Sequence, residues 1–336
     1  MRADSVASWM RRLAVAGVVL GFAVIVLGAY VRLTAAGLGC PDWPGCYGHL
    51  TPIGAEQAGS TAAFARPLEG GKAWREMIHR YAAGTLALVI VSIAALAIAA
   101  RRSRPVSPPL AAALLGVVVF QALLGMLTVT WQLKPLIVTA HLLFGMTTLA
   151  LLEWLVLSVH RRPSSPPAGT GSRARRFTLL ALAVLAAQIA LGGWTSSNYA
   201  AIACPDFPGC QGSGWPQPDF RNAFVLWRGL DIDYEGGVLG NPARIAIHLT
   251  HRLGALAASA ALAVAAVFVL SRRGLAAARP WAWAVLAALV LQLSIGIAMV
   301  VRGFPLWVAT AHTAGAALLL MATLALLRSL SRRWDG

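Results

Sequence analysis

The sequence is short of charge. Only 12% of its 336 residues are Asp, Glu, Lys or Arg, too few to cover two water-soluble domains of this length with polar surface. Acid is the scarcer sign, with 12 Asp and Glu against 28 Lys and Arg and a net charge of +16. Cysteine is limited to four residues, confined to two short segments. What is abundant is apolar: 58% of the residues are hydrophobic and mean hydropathy is +0.69. Apolar runs of about 20 residues, the length that spans a bilayer, recur along the chain.

These runs predict transmembrane helices near 13–34, 74–100, 109–130, 135–159, 177–196, 243–270, 280–301 and 305–329. The expected fold is all-α, a membrane protein of eight transmembrane helices arranged as two tandem four-helix bundles. The first run follows Arg11-Arg12 and is long enough to persist as an anchor rather than a cleaved signal. Gly37 stands where a lipoprotein cleavage signal before Cys40 carries leucine, so no cleavage is expected there.

The basic balance invites a nucleic-acid reading, but its placement argues for topology. Arginines cluster at Arg11 and Arg12, at Arg101, Arg102 and Arg104, and at Arg161, Arg162, Arg173, Arg175 and Arg176. They recur at Arg272, Arg273 and Arg279 and at Arg332 and Arg333. Every cluster falls on the same side of the membrane as the termini, which the positive-inside rule makes the cytoplasm. The opposite segments, roughly 35–73 and 197–242, hold Asp42, Glu56, Glu69, Asp206, Asp219, Asp231, Asp233 and Glu235. No nucleic-acid partner is expected.

The chain repeats itself. Cys40-Pro-Asp-Trp-Pro-Gly-Cys46 returns as Cys204-Pro-Asp-Phe-Pro-Gly-Cys210, an offset of 164 (204 − 40), and Leu27-Gly28 before it returns as Leu191-Gly192. His79-Arg80 answers His251-Arg252, an offset of 172 (251 − 79). Gln121-x-x-x-Gly125 answers Gln292-x-x-x-Gly296, and Thr139-Ala-His141 answers Thr310-Ala-His312, both offset by 171 (312 − 141). An even number of helices per half gives a parallel repeat, unlike the inverted repeats of many transporters. The expected organisation is 1–162, a Pro/Ser/Gly-rich cytoplasmic linker over 163–176, and 177–336.

Seven histidines divide by position. His49 and His160 lie in segments outside the helices and read as ordinary polar residues. His79, His141, His251 and His312 fall in the even-numbered helices, roughly 8–12 Å below the outer end at 1.5 Å per residue. Ionisable groups inside spans are costly and usually functional. Hydrogen bonding between helices is the plain alternative for one histidine, but four at matched depth in two pairs disfavour it. Two imidazoles per half are too few for a closed tetrahedral zinc site. They suit the two axial positions of a haem iron between helices of a bundle. Gly84, Gly125, Gly145, Gly254, Gly296 and Gly315 could admit a flat macrocycle or simply pack helices. Arg80 and Arg252 are candidate partners for haem propionates, or snorkel to lipid phosphates.

The halves disagree at one position. Glu76 precedes His79 by three residues on the same helical face, and its counterpart is His248. One divergent side chain in a duplicated pair suggests a reactive site and an electron-transfer site, with the carboxylate handling protons. Pairing of Glu76 with Arg75 or Arg80 is the structural alternative. The cysteines, as two C-x5-C pairs on the oxidising face, are expected to form the disulfides Cys40–Cys46 and Cys204–Cys210. A redox role for the first pair is open.

Taken together, the Glu76-x-x-His79-Arg80 motif, the two Thr-Ala-His triplets, His251-Arg252 and the paired C-x5-C segments resemble the haem A synthase family over essentially the whole chain. That resemblance implies oxidation of a methyl group of haem O to a formyl group, giving haem A for respiratory terminal oxidases. It implies that His79 and His141 address substrate haem O, with Glu76 as the catalytic acid of that half. His251 and His312 would be the axial ligands of a resident haem b cofactor. It further implies a bacterial plasma-membrane protein with both termini cytoplasmic and haem sites near the outer face. Its partners would be haem O synthase, cytochrome oxidase assembly factors and an electron donor or acceptor, and self-association is compatible with it. The competing reading is a di-haem b membrane cytochrome exchanging electrons with quinone. Such a carrier needs no difference between halves, so Glu76 against His248 favours the enzyme. A transporter is disfavoured, because the buried polar groups gather toward one face rather than at the midplane.

Overall fold

The computed structural model describes residues 3–58, 66–100, 108–159, 169–212 and 216–331. His160, the linker residues 163–168 and the basic residues Arg101, Arg102, Arg104, Arg161, Arg162, Arg332 and Arg333 lie outside the described residues. Eight helices are long and apolar enough to cross a membrane: α1 (Ala3–Leu33), α3 (Gly70–Ala99), α4 (Pro108–Thr130), α5 (Pro135–Val159), α6 (Thr170–Ser197), α8 (Asn241–Leu270), α9 (Arg279–Val301) and α10 (Leu306–Ser329). Two short helices, α2 (Pro52–Ala58) and α7 (Phe220–Ala223), punctuate the long segments. No strand occurs among the described residues. The protein is an all-helical, multi-pass membrane protein.

Helix starts follow from proline, whose fixed φ and missing N–H suit a first turn. Pro108, Pro135, Pro242 and Pro280 all stand there. Hydrophobicity alone misplaces some boundaries. Helix α1 begins ten residues before the apolar run expected from 13, and α6 takes in Thr170–Arg176, which the sequence suggested was linker. Backbone hydrogen bonding continues a helix beyond its apolar stretch, and arginine is a good helix former. The C-terminal ends of α1, α4, α6 and α9 share one stop. Ala36 N–H bonds Val31 O at 3.0 Å, Leu133 N–H bonds Thr128 O at 2.8 Å, Ala200 N–H bonds Thr195 O at 2.9 Å and Phe304 N–H bonds Met299 O at 2.8 Å. In each closure the residue before the bonded N–H has positive φ: Ala35, Gln132, Tyr199 and Gly303, three of them bearing the strain of a non-glycine side chain. Satisfying otherwise orphaned carbonyls repays that strain.

Helix α1 packs on α3 and α5, and α4 packs on both α3 and α5. In the same way α6 packs on α8 and α10, and α9 packs on both α8 and α10. The two groups meet along α5–α6, α1–α10 and α5–α10. A core of Met146, Leu149, Leu185, Leu262, Val269, Val285, Leu320 and Leu324 runs across that seam. The outward surface stays apolar, with Leu88, Val119, Leu256 and Val290 more than half exposed, as a lipid-facing belt requires.

Residues Asp231–Glu235, whose role the sequence did not disclose, form a strap. The segment between α6 and α8 crosses onto the other group of helices. Tyr234 is buried against Leu38, Val129 and Leu133, and its N–H donates to Gln132 O at 3.1 Å. Arg66 pairs with Asp233 and with Glu235, the latter at 2.5 Å. Lys134, 1% exposed, donates to Gly229 O and holds its ammonium 3.1 Å from the centre of the Trp227 ring. Burial pulls its pKa below the ordinary lysine value.

Both expected disulfides are present, Cys40–Cys46 and Cys204–Cys210. Each closes a short loop, so the chain-entropy contribution is about 2–3 kcal/mol. Replacing Cys204 and Cys210 together with serine is expected to lower the thermal midpoint measurably while leaving all eight spans inserted. Mass spectrometry without reduction should recover each pair within one peptide; free thiols in the untreated protein would contradict the pairing.

Candidate functional site

Each of the four span histidines sits against a glycine of the neighbouring helix. A Cβ placed on Gly28 of α1 would lie 2.9 Å from His79 Cε1, and one on Gly192 of α6 would lie 3.2 Å from His251 Cε1. On the other side of each group, Gly125 of α4 would meet His141 Cε1 at 3.3 Å and Gly296 of α9 would meet His312 Cε1 at 3.0 Å. A side chain at Gly28 would force the His79 ring to shift, and at the other three positions the ring would have to give by a few tenths of an ångström. The sequence had flagged Gly125 and Gly296. Gly28 and Gly192 were visible only as parts of the repeat.

The rings form two pairs. His79 and His141 are close enough to interact electrostatically, as are His251 and His312. From the N-terminal ends of their helices they stand about 14 Å (His79), 9 Å (His141), 15 Å (His251) and 9 Å (His312) deep at 1.5 Å per residue. Helices α3 and α8, at 30 residues each, start farther out, which is why their histidines sit deeper than the sequence suggested. Nδ1 of His79, His141 and His312 has no hydrogen-bond partner despite being buried.

Glutamine contacts three of the four histidines, two of them at the ring. Gln121 donates to His141 O at 2.8 Å, and Gln292 Nε2 lies 3.4 Å from His312 Nε2. Gln188 Nε2 lies 3.1 Å from His251 Nδ1 and 3.0 Å from His251 O. These amides press on Gly145, Gly315 and Gly254, where a Cβ would collide with them. Three of the glycines expected to admit a macrocycle therefore accommodate glutamines instead, and Gly84 faces open space. Val24 occupies the position matching Gln188 (188 − 164), so His79 alone has no such amide.

Glu76 and His248 are both 4% exposed and occupy matching places. Glu76 accepts from Cys40 N–H at 2.8 Å and from Arg80 Nη2 at 2.5 Å. His248 Nε2 lies 3.3 Å from Arg252 Nε. Of the two ion-pair partners considered for Glu76, Arg80 is the one used, while Arg75 donates to Gly71 O at 2.8 Å.

Arg80 and Arg252 carry their C-x5-C loops. Arg80 Nη1 donates to Asp42 O at 2.8 Å, to Pro44 O at 3.2 Å and to Gly45 O. Arg252 donates to Gly209 O at 2.6 Å, Asp206 O at 2.7 Å, Pro208 O at 3.1 Å and Cys204 O at 3.3 Å. Inside each loop an aspartate caps the turn. Asp42 accepts from Tyr47 and Gly48 N–H at 2.6 and 2.8 Å, as Asp206 does from Gln211 and Gly212 at 2.6 and 2.8 Å. Those two N–H bonds, with the nearby Arg252 charge, hold the exposed Asp206 carboxyl below its usual pKa.

Arg80 and Arg252, which the sequence suggested as propionate partners, hold loop carbonyls in this structure. One residue beyond a histidine, a side chain is turned about 100° away from it, and these guanidinium donors are already taken by loop carbonyls. A buried acid, Glu153 of α5, escaped the sequence reading. It is 7% exposed, and its Oε2 has no partner.

The latch makes a distinct mutational forecast. Arg252→Met removes charge-assisted bonds to four carbonyls, each such bond being worth about 1.5–3 kcal/mol at most. Amide exchange across 204–210 should accelerate strongly while exchange within α9 and α10 stays unchanged. Equal protection in both proteins would mean that the disulfide alone holds the loop.

Residues 11–324 match the COX15-CtaA family, described as cytochrome oxidase assembly protein. A protein named Heme A synthase from Shewanella oneidensis is 41% identical over 319 residues, covering 94% of this chain and 93% of that protein. Proteins of the same name from Rhizorhabdus wittichii and Caulobacter vibrioides are 30% and 29% identical, covering 96% and 89% of this chain and 93% and 89% of their own lengths. Matching over nearly its full length, the chain belongs to the COX15-CtaA family of cytochrome oxidase assembly proteins.

Proposed function

We propose that the protein is a haem A synthase, an oxidoreductase that converts the methyl group of haem O to the formyl group of haem A for respiratory terminal oxidases. The observation that carries this reading is the set of two histidine pairs, each ring seated on a glycine of the adjacent helix. The site fits haem in three respects. Paired imidazoles lie within electrostatic reach of each other, buried Nδ1 atoms of His79, His141 and His312 are left without partners, and glycine keeps the neighbouring backbone clear. Among the described residues no group of three or more His, Cys, Asp or Glu converges, so the donor chemistry is imidazole in pairs.

In this reading the N-terminal group, ending near 162, binds substrate haem O between His79 and His141. The C-terminal group, from about 177, holds resident haem b between His251 and His312. When bound, haem b supplies one-electron redox chemistry at its iron. The chain's own residues do the positioning. His79 and His141, seated against Gly28 of α1 and Gly125 of α4, would hold the macrocycle by its iron. Glu76 lies one turn outward of His79. Held by Arg80 and by Cys40 N–H, it is placed to accept protons lost as the methyl group is oxidised. Arg80 thus acts through Glu76 and the loop as a positioning residue. His248 in the matching slot cannot serve as a carboxylate, which supports assigning the chemistry to the N-terminal group.

The arginine distribution supports a cytoplasmic placement of both termini in a bacterial plasma membrane, with the haem sites toward the outer face. Haem O synthase and cytochrome oxidase assembly factors are the partners this reading calls for, together with an electron donor or acceptor. The competing di-haem b cytochrome would leave haem O unchanged.

Two experiments separate the possibilities. His251→Ala or His312→Ala is expected to remove resident haem b, whereas His79→Ala or His141→Ala should spare most of it and abolish haem A formation. Retention of haem b in both C-terminal variants, read from pyridine haemochrome spectra, would overturn the assignment of the halves. Glu76→Gln keeps size and hydrogen bonding but cannot take up a proton. It should yield an inserted, haem b-loaded protein from which haem O or a partly oxidised form is extracted. Haem A at the wild-type rate would leave Glu76 as no more than the ion-pair partner of Arg80.

A further inference from the structure

Three buried polar atoms without partners meet at the outer end of the seam between the helix groups. Arg32 leaves the last turn of α1, and its Nη2 donates to Ser196 O at 2.9 Å and Ser197 O at 3.5 Å. Its guanidinium carbon lies 4.1 Å from the centre of the Tyr199 ring. Arg244 comes from the first turn of α8, and its one hydrogen bond is long, Nη2 to Gly236 O at 3.4 Å. Gly237 joins the two: a Cβ there would lie 3.0 Å from Tyr199 Cδ2 and 3.1 Å from Arg244 Nη2. Arg32 Nε, Tyr199 Oη and Arg244 Nε are all buried and lack a hydrogen-bond partner. The Tyr199 hydroxyl lies within side-chain hydrogen-bonding reach of Arg32, but the contact does not meet strict hydrogen-bond geometry, so both atoms have donor or acceptor capacity to spare.

Two guanidinium groups and a phenol with unmet donors are costly unless an anion completes them. The acid within electrostatic reach of Arg32 is Glu235, and its carboxylate is already paired with Arg66 at 2.5 Å. Asp233 is bound to the same arginine. The cluster therefore keeps positive charge and free N–H and O–H donors after its neighbours are satisfied.

Its position says which anion. Arg32 is one turn beyond Gly28, the glycine that seats His79, on the same face of α1. Arg244 is seven residues before His251, which returns it to the same face of α8 about 10 Å nearer the outer end. The cluster thus lies outward of both histidine pairs, on the seam they share. We propose that Arg32, Tyr199 and Arg244 form a carboxylate-binding site that receives haem propionates. Carboxylate matches the guanidinium fork in shape and charge. The site takes the role that the sequence suggested for Arg80 and Arg252. The inference rests on the haem reading above, but it concerns residues that reading does not use.

The test titrates the full chain, prepared free of haem in nanodiscs of neutral lipid, with iron protoporphyrin IX and with its dimethyl ester, following the Soret band. The ester keeps the iron and the apolar ring but removes both carboxylates. Wild-type protein should bind the diacid about tenfold or more tightly than the ester, the scale of one charge-assisted bond. Arg244→Gln and Arg32→Gln should each weaken diacid binding by about tenfold and leave ester binding unchanged, and Arg244→Lys should recover part of the loss. Equal losses for both compounds would mean a general structural role and would overturn the proposal. So would a wild-type protein indifferent to esterification, the result expected if the cluster binds a lipid phosphate. Failure of the wild type to bind either compound would instead sink the haem reading itself.

Discussion

The architecture depends on how closely two helices can approach where an imidazole lies between them. At His79, His141, His251 and His312 the ring edge rests at van der Waals distance from a glycine of the partner helix. The pairs α1–α3, α4–α5, α6–α8 and α9–α10 are thereby drawn together around a polar ring inside a hydrocarbon-facing bundle. Lipid offers no hydrophobic drive for helices to associate, so close backbone approach and specific polar contacts must supply it. A methyl group at Gly28 would displace the His79 ring, and one at the other three glycines would crowd the ring it faces.

A second layer fixes the end of the bundle that carries the two long segments. Each C-x5-C loop is folded on its own aspartate, closed by its disulfide and pinned by the arginine that follows the histidine of α3 or α8. The arginine therefore links the depth of the ring to the position of the loop: a shift of either helix would break several carbonyl contacts together. Glu76 joins this arrangement through Cys40 N–H and Arg80, so the acid that stands where the other half has His248 is held on two sides. His248 fills the same space with a different charge and a weaker contact, 3.3 Å from Arg252 Nε.

The two groups of helices also differ in how they are covered. The strap around Tyr234 reaches from the second long segment across to Arg66, Gln132 and Lys134, and nothing equivalent is returned among the described residues. Val24 opposite Gln188, Leu324 opposite Glu153, and Pro305 opposite Lys134 place further differences on the same side of the comparison. The N-terminal group thus has the less supported histidine, the two extra ionisable groups and the borrowed cover.

Much of this was legible in the residues. Eight spans follow from apolar run length, because a bilayer imposes a fixed thickness on any chain that crosses it. The repeat, the histidine pairs, the C-x5-C pairing and the Glu76–His248 difference follow from spacing, because duplicated helices preserve phase. Tertiary structure decided what spacing cannot carry. Gly28 and Gly192 became ring seats only when α1 met α3 and α6 met α8, contacts between separate helices that no local pattern encodes. Arg80 and Arg252 turned toward the loops because a residue adjacent to a histidine points about 100° away from it. The Arg32–Tyr199–Arg244 cluster draws on three helix ends, and Asp231–Glu235 acquired a role only where the strap landed. Long-range contacts of that kind depend on where helix ends come to rest, and a linear sequence fixes those only through the packing of the whole bundle.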